Sequence, residues 1–150
     1  MTETDWLNDE EMRLWRGFVT ASAGVLQQID AALKADADLD FDDYEVLVYL
    51  SEAEARRLRM NTLSEELLHS RSRLSQRIDR LVTRGLVRRE KCTEDGRGTF
   101  AVLTDEGFAT IEAASHDHVR AVWEYMLDLV EPEELDVAIA IFDRIAAGPH

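Results

Sequence analysis

Apolar residues recur at intervals of three and four along most of the chain, the spacing that gives a helix one apolar face. Leu14, Phe18, Val25, Ile29 and Leu33 define such a face on a long first helix. Trp15, Val19 and Leu26 widen it beyond what one packing surface requires, which leaves room for a second partner. The run Asp36, Asp38, Asp40 breaks the pattern, so this helix is predicted to end around 35–40. Asp42 or Asp43 is then placed to cap a second helix carrying Tyr44, Leu47, Val48 and Leu50, ending near Glu54. Thr62 and Glu65 stand at capping-box spacing before a short helix whose inner face is Leu63, Leu67 and Leu68. Ser70 caps the next helix, Arg71 to Arg84, with Leu74, Ile78, Leu81 and Val82 as its buried stripe. Two short helices separated by so tight a turn predict a helix-turn-helix.

Gly85 falls where a helix end wants a left-handed residue. Beyond it, Leu86–Glu90 and Thr99–Leu103 read as two short strands around a turn rich in glycine and aspartate, that is, a β-hairpin. Thr104 caps a second long helix through Phe108, Ile111, Val119, Val122, Met126 and Leu129. Pro132 suits the first position of a last helix carrying Leu135, Ala138, Ile139, Phe142 and Ile145. With 150 residues, 45% of them hydrophobic, there is material for one packed core, so the expectation is one mainly α domain over 1–150 with a small β-hairpin.

The net charge of −14 argues at first against a nucleic-acid partner. Its distribution reverses that impression. Residues 55–100 hold twelve of the 17 Lys and Arg against six acids, a local charge of +6, while the remainder carries −20. A basic lobe on an acidic body suits a DNA-facing surface, because the acidic remainder repels phosphate and limits how the molecule docks. Charge alone leaves a second reading open, in which the basic face pairs with acids of the same chain. Arg73, Arg77, Arg80 and Arg84 form one row on their helix.

Other chemistries find little footing. No nucleophile elbow, phosphate loop, paired zinc-binding histidine motif or dinucleotide fingerprint occurs, which predicts no enzymatic activity and no cofactor. His116 and His118 are two apart on a helix and point to different faces, so they read as solvated surface and not as a metal site. His69 is placed either to contact phosphate or to cap the helix before it. A single cysteine, Cys92, forms no internal disulfide and reads as an exposed thiol. The acidic start and the absence of a membrane-length apolar run predict a cytoplasmic protein with no membrane partner.

Four ordered segments resemble the MarR family of transcriptional regulators. Residues 70–81 look like its recognition helix and Arg84-Gly85-Leu86-Val87-Arg88-Arg89 like the start of its wing. Asp95-Gly96-Arg97 matches its D-x-R wing motif and Leu103-Thr104-Asp105-Glu106-Gly107 its L-T-x-x-G signature. The resemblance covers nearly the whole chain. It implies a winged helix-turn-helix with the DNA-binding lobe at about 42–103 and dimerisation helices at about 5–35 and 104–147. It further implies a homodimer on a pseudo-palindromic duplex, with the 71–84 helix in the major groove and the hairpin tip in the neighbouring minor groove.

On that reading Arg71, Ser72, Arg73, Gln76 and Arg77 meet bases or nearby phosphates, since arginine pairs with guanine and glutamine with adenine. Arg80 and Arg84 serve phosphates or internal ion pairs, and Arg97, held by Asp95, suits a narrow minor groove. Family members often take a small aromatic or anionic effector that lowers DNA affinity. Periodicity sets Trp15, Phe18, Tyr44, Val48 and Ile111 near such a cleft, although aromatic residues at helical spacing are more often core. Peroxide-sensing members carry a cysteine near the amino terminus, from which Cys92 departs. The reading from a different class is a dimeric protein-interaction module that keeps the winged fold without binding DNA specifically.

Overall fold

A computed structural model describes residues 6–94 and 97–148. Six helices and three strands follow one another as α1 (Asp9–Ala37), α2 (Phe41–Glu52), β1 (Arg57–Arg59), α3 (Met60–Glu66), α4 (Arg71–Thr83), β2 (Val87–Lys91), β3 (Thr99–Leu103), α5 (Asp105–Tyr125) and α6 (Leu135–Ala147), with short 3-10 turns between some of them. Two compact units result, residues 30–118 and the chain ends 1–29 with 119–150.

The 30–118 unit is built around α2, α3 and α4. Leu47, Leu50, Leu63, Leu74, Ile78 and Leu81 are completely buried, as helical spacing predicts for three amphipathic helices sharing one core. Asp40 is the α2 cap, its carboxylate accepting from the Asp43 N–H at 2.7 Å. The expected cap at Asp42 or Asp43 is therefore corrected by two or three residues, and both of those carboxylates are left for other partners. The capping box at Thr62 is not used either: α3 starts at Met60, directly from β1, with no side-chain cap.

Helix α3 ends in a Schellman motif, with the Leu68 N–H bonded to Glu65 O and the His69 N–H to Ser64 O. Leu68 takes the left-handed position at φ 53° and stands 91% exposed. Ser70 then caps α4 as expected, its hydroxyl accepting from the Arg73 N–H at 3.1 Å. The same motif ends α4: Gly85 N–H reaches Val82 O, Leu86 N–H reaches Leu81 O, and Gly85 sits at φ 76°.

The hairpin is present, β2 pairing with β3 antiparallel from Val87 opposite Leu103 to Lys91 opposite Thr99. Its far edge carries a strand the periodicity does not show: β1 pairs with β3, Arg57 opposite Val102 and Arg59 opposite Phe100, giving the order β1-β3-β2. Beyond β3, the Thr104 hydroxyl donates to Gly85 O at 2.7 Å and accepts from the Gly107 N–H at 3.0 Å. A Cβ on Gly107 would meet the Leu86 carbonyl oxygen at 2.1 Å, so only glycine lets α5 begin this close to the root of β2. The L-T-x-x-G signature is thus a packing joint.

The chain ends have a different character. None of the α6 residues is buried, although the helix is mostly apolar, and Val137, Ile139, Phe142 and Ile145 lie exposed. Leu14, Trp15, Phe18 and Val19 on α1 and Val119 and Trp123 on α5 are exposed as well. The second long helix stops at Tyr125, and Leu127–Leu129 forms a 3-10 turn where the periodicity predicts continued α-helix. Pro132 opens a 3-10 turn that leads into α6.

Candidate nucleic-acid interface

The faces of α4 divide by what they touch. Leu74, Ile78 and Leu81 enter the core, while Arg71, Ser72 and Gln76 are exposed. Between these lies the arginine row, and it meets the segment that joins α1 to α2 together with the first turn of α2. Arg73 Nη2 donates to Asp42 Oδ2 at 2.5 Å. Arg77 Nη1 donates to Asp40 Oδ1 at 2.6 Å and Asp43 Oδ1 at 2.7 Å, and its Nη2 to Asp42 Oδ2 at 2.9 Å. Arg80 stands 3.7 Å from Asp43 and 3.9 Å from Asp40. Arg84 Nη1 donates to the Asp38 carbonyl at 2.6 Å.

Arg77 is therefore corrected from a DNA contact to an internal tie. Its side chain is 9% exposed and three carboxylates surround it. Burial disfavours its charge, but the hydrogen bonds to Asp40 and Asp43 outweigh that and raise the guanidinium above its ordinary range. Asp40 is likewise pressed upward by burial, yet the bonds from Arg77 and the Asp43 N–H carry it below the usual carboxylate value. Burial prevails at Asp43 and pushes it up, with Asp40 beside it adding repulsion. Burial also lowers His69, which stands 3.9 Å from Asp42.

A side chain of β2 fastens the wing root to α4. Arg89 of β2 donates to Ser75 O at 3.0 Å, Ser75 Oγ at 3.1 Å and Asp79 Oδ1 at 2.9 Å. Beside this latch lies a cleft of about 460 Å³ bordered by Arg59, Arg71, Arg89 and Arg97 together with Asn61 and Thr99. Arg57 and Arg59 lie over the Phe100 ring at 4.6 and 5.5 Å, which holds cationic side chains along the sheet edge. The structure thus brings Arg71 and Arg97 to one basic cleft, while Ser72 and Gln76 share the exposed side of α4. Asp95 lies outside the described residues. Sequence reasoning missed Arg89 as the latch, for which the only available sign was its place in a basic strand.

Two further expectations are corrected, for Cys92 and for His118. Cys92 is buried, its backbone N–H bonded to Gly98 O at 3.2 Å. His118 is half-buried, its ring 4.4 Å from that of Tyr44 and 6.5 Å from that of Phe41, and burial lowers its pKa. Tyr44 and Ile111 are core residues of the 30–118 unit, and Val48 is half-buried there. Trp15 and Phe18 stack on each other at 6.2 Å in the other unit, where Phe18 borders an open groove on α1 with Glu10, Arg13 and Leu14. Among the described residues no three His, Cys, Asp or Glu side chains gather as a metal site, and no helix is long and apolar enough to cross a membrane.

A helix-turn-helix set between the first strand and the hairpin of a three-stranded sheet, the hairpin latched to the second helix, defines a winged helix-turn-helix protein. The MarR family model matches residues 37–98. Sco3205, a MarR family transcriptional regulator from Streptomyces coelicolor solved in complex with DNA, is 38% identical over 99% of this chain and 92% of its own, with a TM-score of 0.94. AbsC, another MarR family transcriptional regulator from Streptomyces coelicolor, is 39% identical over 96% and 97%, with a TM-score of 0.91. A MarR mutant from E. coli complexed with operator DNA shares the fold at 23% identity over 94% and 99%, with a TM-score of 0.80. The search of curated proteins gave no match. The chain belongs to the MarR family of transcriptional regulators.

Proposed function

We propose that this protein is a homodimeric, DNA-binding transcriptional repressor that reads a pseudo-palindromic duplex and releases it in response to a small aromatic or anionic effector. The observation that carries the reading is the basic cleft joining Arg71 and Arg97 beside the exposed Ser72 and Gln76 of α4, in a chain whose relative Sco3205 was solved with DNA. An exposed recognition helix flanked by a basic wing matches the width and charge of a major groove with its adjoining minor groove. Arg71, Ser72, Arg73, Gln76 and Arg80 then address bases or phosphates, and Arg97, with Asp95, the minor groove. The exposed apolar side chains of α1, α5 and α6 support a second copy as their partner. Binding alone is the activity on this reading, without catalysis, and its place is the cytoplasm.

Fluorescence anisotropy on the duplex upstream of the protein's own gene, at two salt concentrations, tests it. Preferential, salt-sensitive binding that Gln76→Ala and Arg97→Ala each weaken about tenfold is expected, near 1.4 kcal/mol per lost contact. Equal binding to scrambled DNA would transfer the fold to a protein-interaction role.

A further inference from the structure

The arginine row of α4 contains two kinds of arginine joined by one carboxylate. Arg77 is buried among Asp40, Asp42 and Asp43, whereas the Arg73 side chain is 57% exposed. Asp42 Oδ2 accepts from both, at 2.5 Å from Arg73 Nη2 and 2.9 Å from Arg77 Nη2. Asp42 therefore does not swing as an isolated surface acid would: the Arg77 guanidinium, fixed on its other side by Asp40 and Asp43, anchors it.

We propose that Asp42 is a positioning and specificity-determining residue, which holds Arg73 on the recognition helix in one orientation for reading a base while lowering attraction to DNA of arbitrary sequence. The proposal rests on the DNA-binding reading above. A free arginine carries many rotamers and loses that freedom on binding, whereas a fork already fixed through one nitrogen loses less. Guanidinium offers five N–H donors, and the bond to Asp42 uses one, so pairing with a base and with the carboxylate are compatible. The charge of Asp42 has the opposite effect on phosphate, which binds arbitrary and correct duplexes alike through electrostatics. The same carboxylate thus favours the complex that uses Arg73 geometry and disfavours the one that uses only its charge. The arrangement also survives its own test. Asp40, not Asp42, caps α2, and Arg77 keeps two carboxylates when Asp42 is neutralised.

The experiment measures anisotropy for wild type, Asp42→Asn, Asp42→Glu, Arg73→Ala and the Asp42→Asn/Arg73→Ala double variant, each on the upstream duplex and on a scrambled duplex of equal composition, across a salt series. Asp42→Asn is expected to reduce the ratio of specific to scrambled affinity about tenfold, the span of one modest arginine–base pair. Affinity for scrambled DNA is expected to stay constant or rise. Asp42→Glu restores part of the ratio, and in the Arg73→Ala background Asp42→Asn leaves the ratio unchanged. A purely structural Asp42 would weaken both duplexes equally, and that result overturns the proposal. So does an unchanged ratio, or an equal fall without Arg73. Should Asp42→Asn melt markedly lower than wild type, Asp42→Ser carries the same comparison. Wild type that does not prefer the upstream duplex would remove the DNA-binding reading itself, an outcome distinct from preference retained by Asp42→Asn.

Discussion

The two units solve the burial problem in opposite ways. In residues 30–118 the apolar side chains face one another: every fully buried large side chain of the described protein, from Leu33 to Val87, lies there. In the chain ends they face outward, and of the large exposed apolar residues among those described only Leu68 and Val82 lie outside those ends. The contrast separates a lobe that completes its own core from segments whose sequence presupposes a partner. A protein that reads two half-sites needs both properties, because each reading head must be rigid alone while their spacing comes from association.

The contrast breaks most sharply at α6. Val137, Ile141 and Ile145 are exposed and four residues apart, hence on one face. Replacing all three with Glu is expected to weaken dimerisation at least about a millionfold, since a dimer loses three apolar side chains from each copy at roughly 1.5 kcal/mol apiece. Sedimentation velocity checks this. Helical content and the melting of the 30–118 lobe should persist, and a dimer of unchanged affinity would assign the apolar face to something other than a second copy.

The next largest effect lies inside the lobe. Arg77→Met keeps the stem but leaves Asp40, Asp42 and Asp43 facing one another, which should cost about 3–5 kcal/mol in urea unfolding, the usual loss when one partner of a buried ion pair is removed. Arg73→Met, at an exposed position, should cost under about 1 kcal/mol. Equal losses at the two sites would mean that the row is not divided into an internal and an external part.

That division was beyond the sequence. Periodicity located α1, α4, β3 and the caps at Ser70 and Thr104, because each depends on residues within one or two turns of each other. It identified the arginine row as a row, but a row has two neighbours, and only tertiary packing placed Asp40, Asp42 and Asp43 against it. The same acids misled the reading of α2: three aspartates within four positions all qualify as caps, and the one chosen leaves the others for Arg73 and Arg77. Strand β1 is too short and too charged to show alternation, existing because β3 offers an edge. The exposed Arg71, Ser72 and Gln76 were legible because a helix with one apolar stripe must turn its opposite face outward.

The smallest effect concerns the end of the lobe on α5. His118 packs against Tyr44 and Phe41, its Nδ1 is buried without a hydrogen-bond partner among the described residues, and burial lowers its pKa. An unfolded histidine titrates near 6.5. Because the folded value lies below that, the unfolded chain binds the proton first, and stability is greatest above about pH 6.5 and declines as pH falls from there through the folded pKa. His69, lowered by burial too, acts with the same sign. His118→Phe keeps an aromatic ring against Tyr44 while removing the titration, so its melting temperature should fall less than that of wild type between pH 7.5 and 5.5, with a remainder owed to His69. The change should be smaller than that of Arg77→Met, since one half-buried ring is involved and not three facing carboxylates. An identical pH slope in wild type and His118→Phe would show that the lobe tolerates a charged ring at this position, and would confine its ionic constraints to the Arg77 cluster.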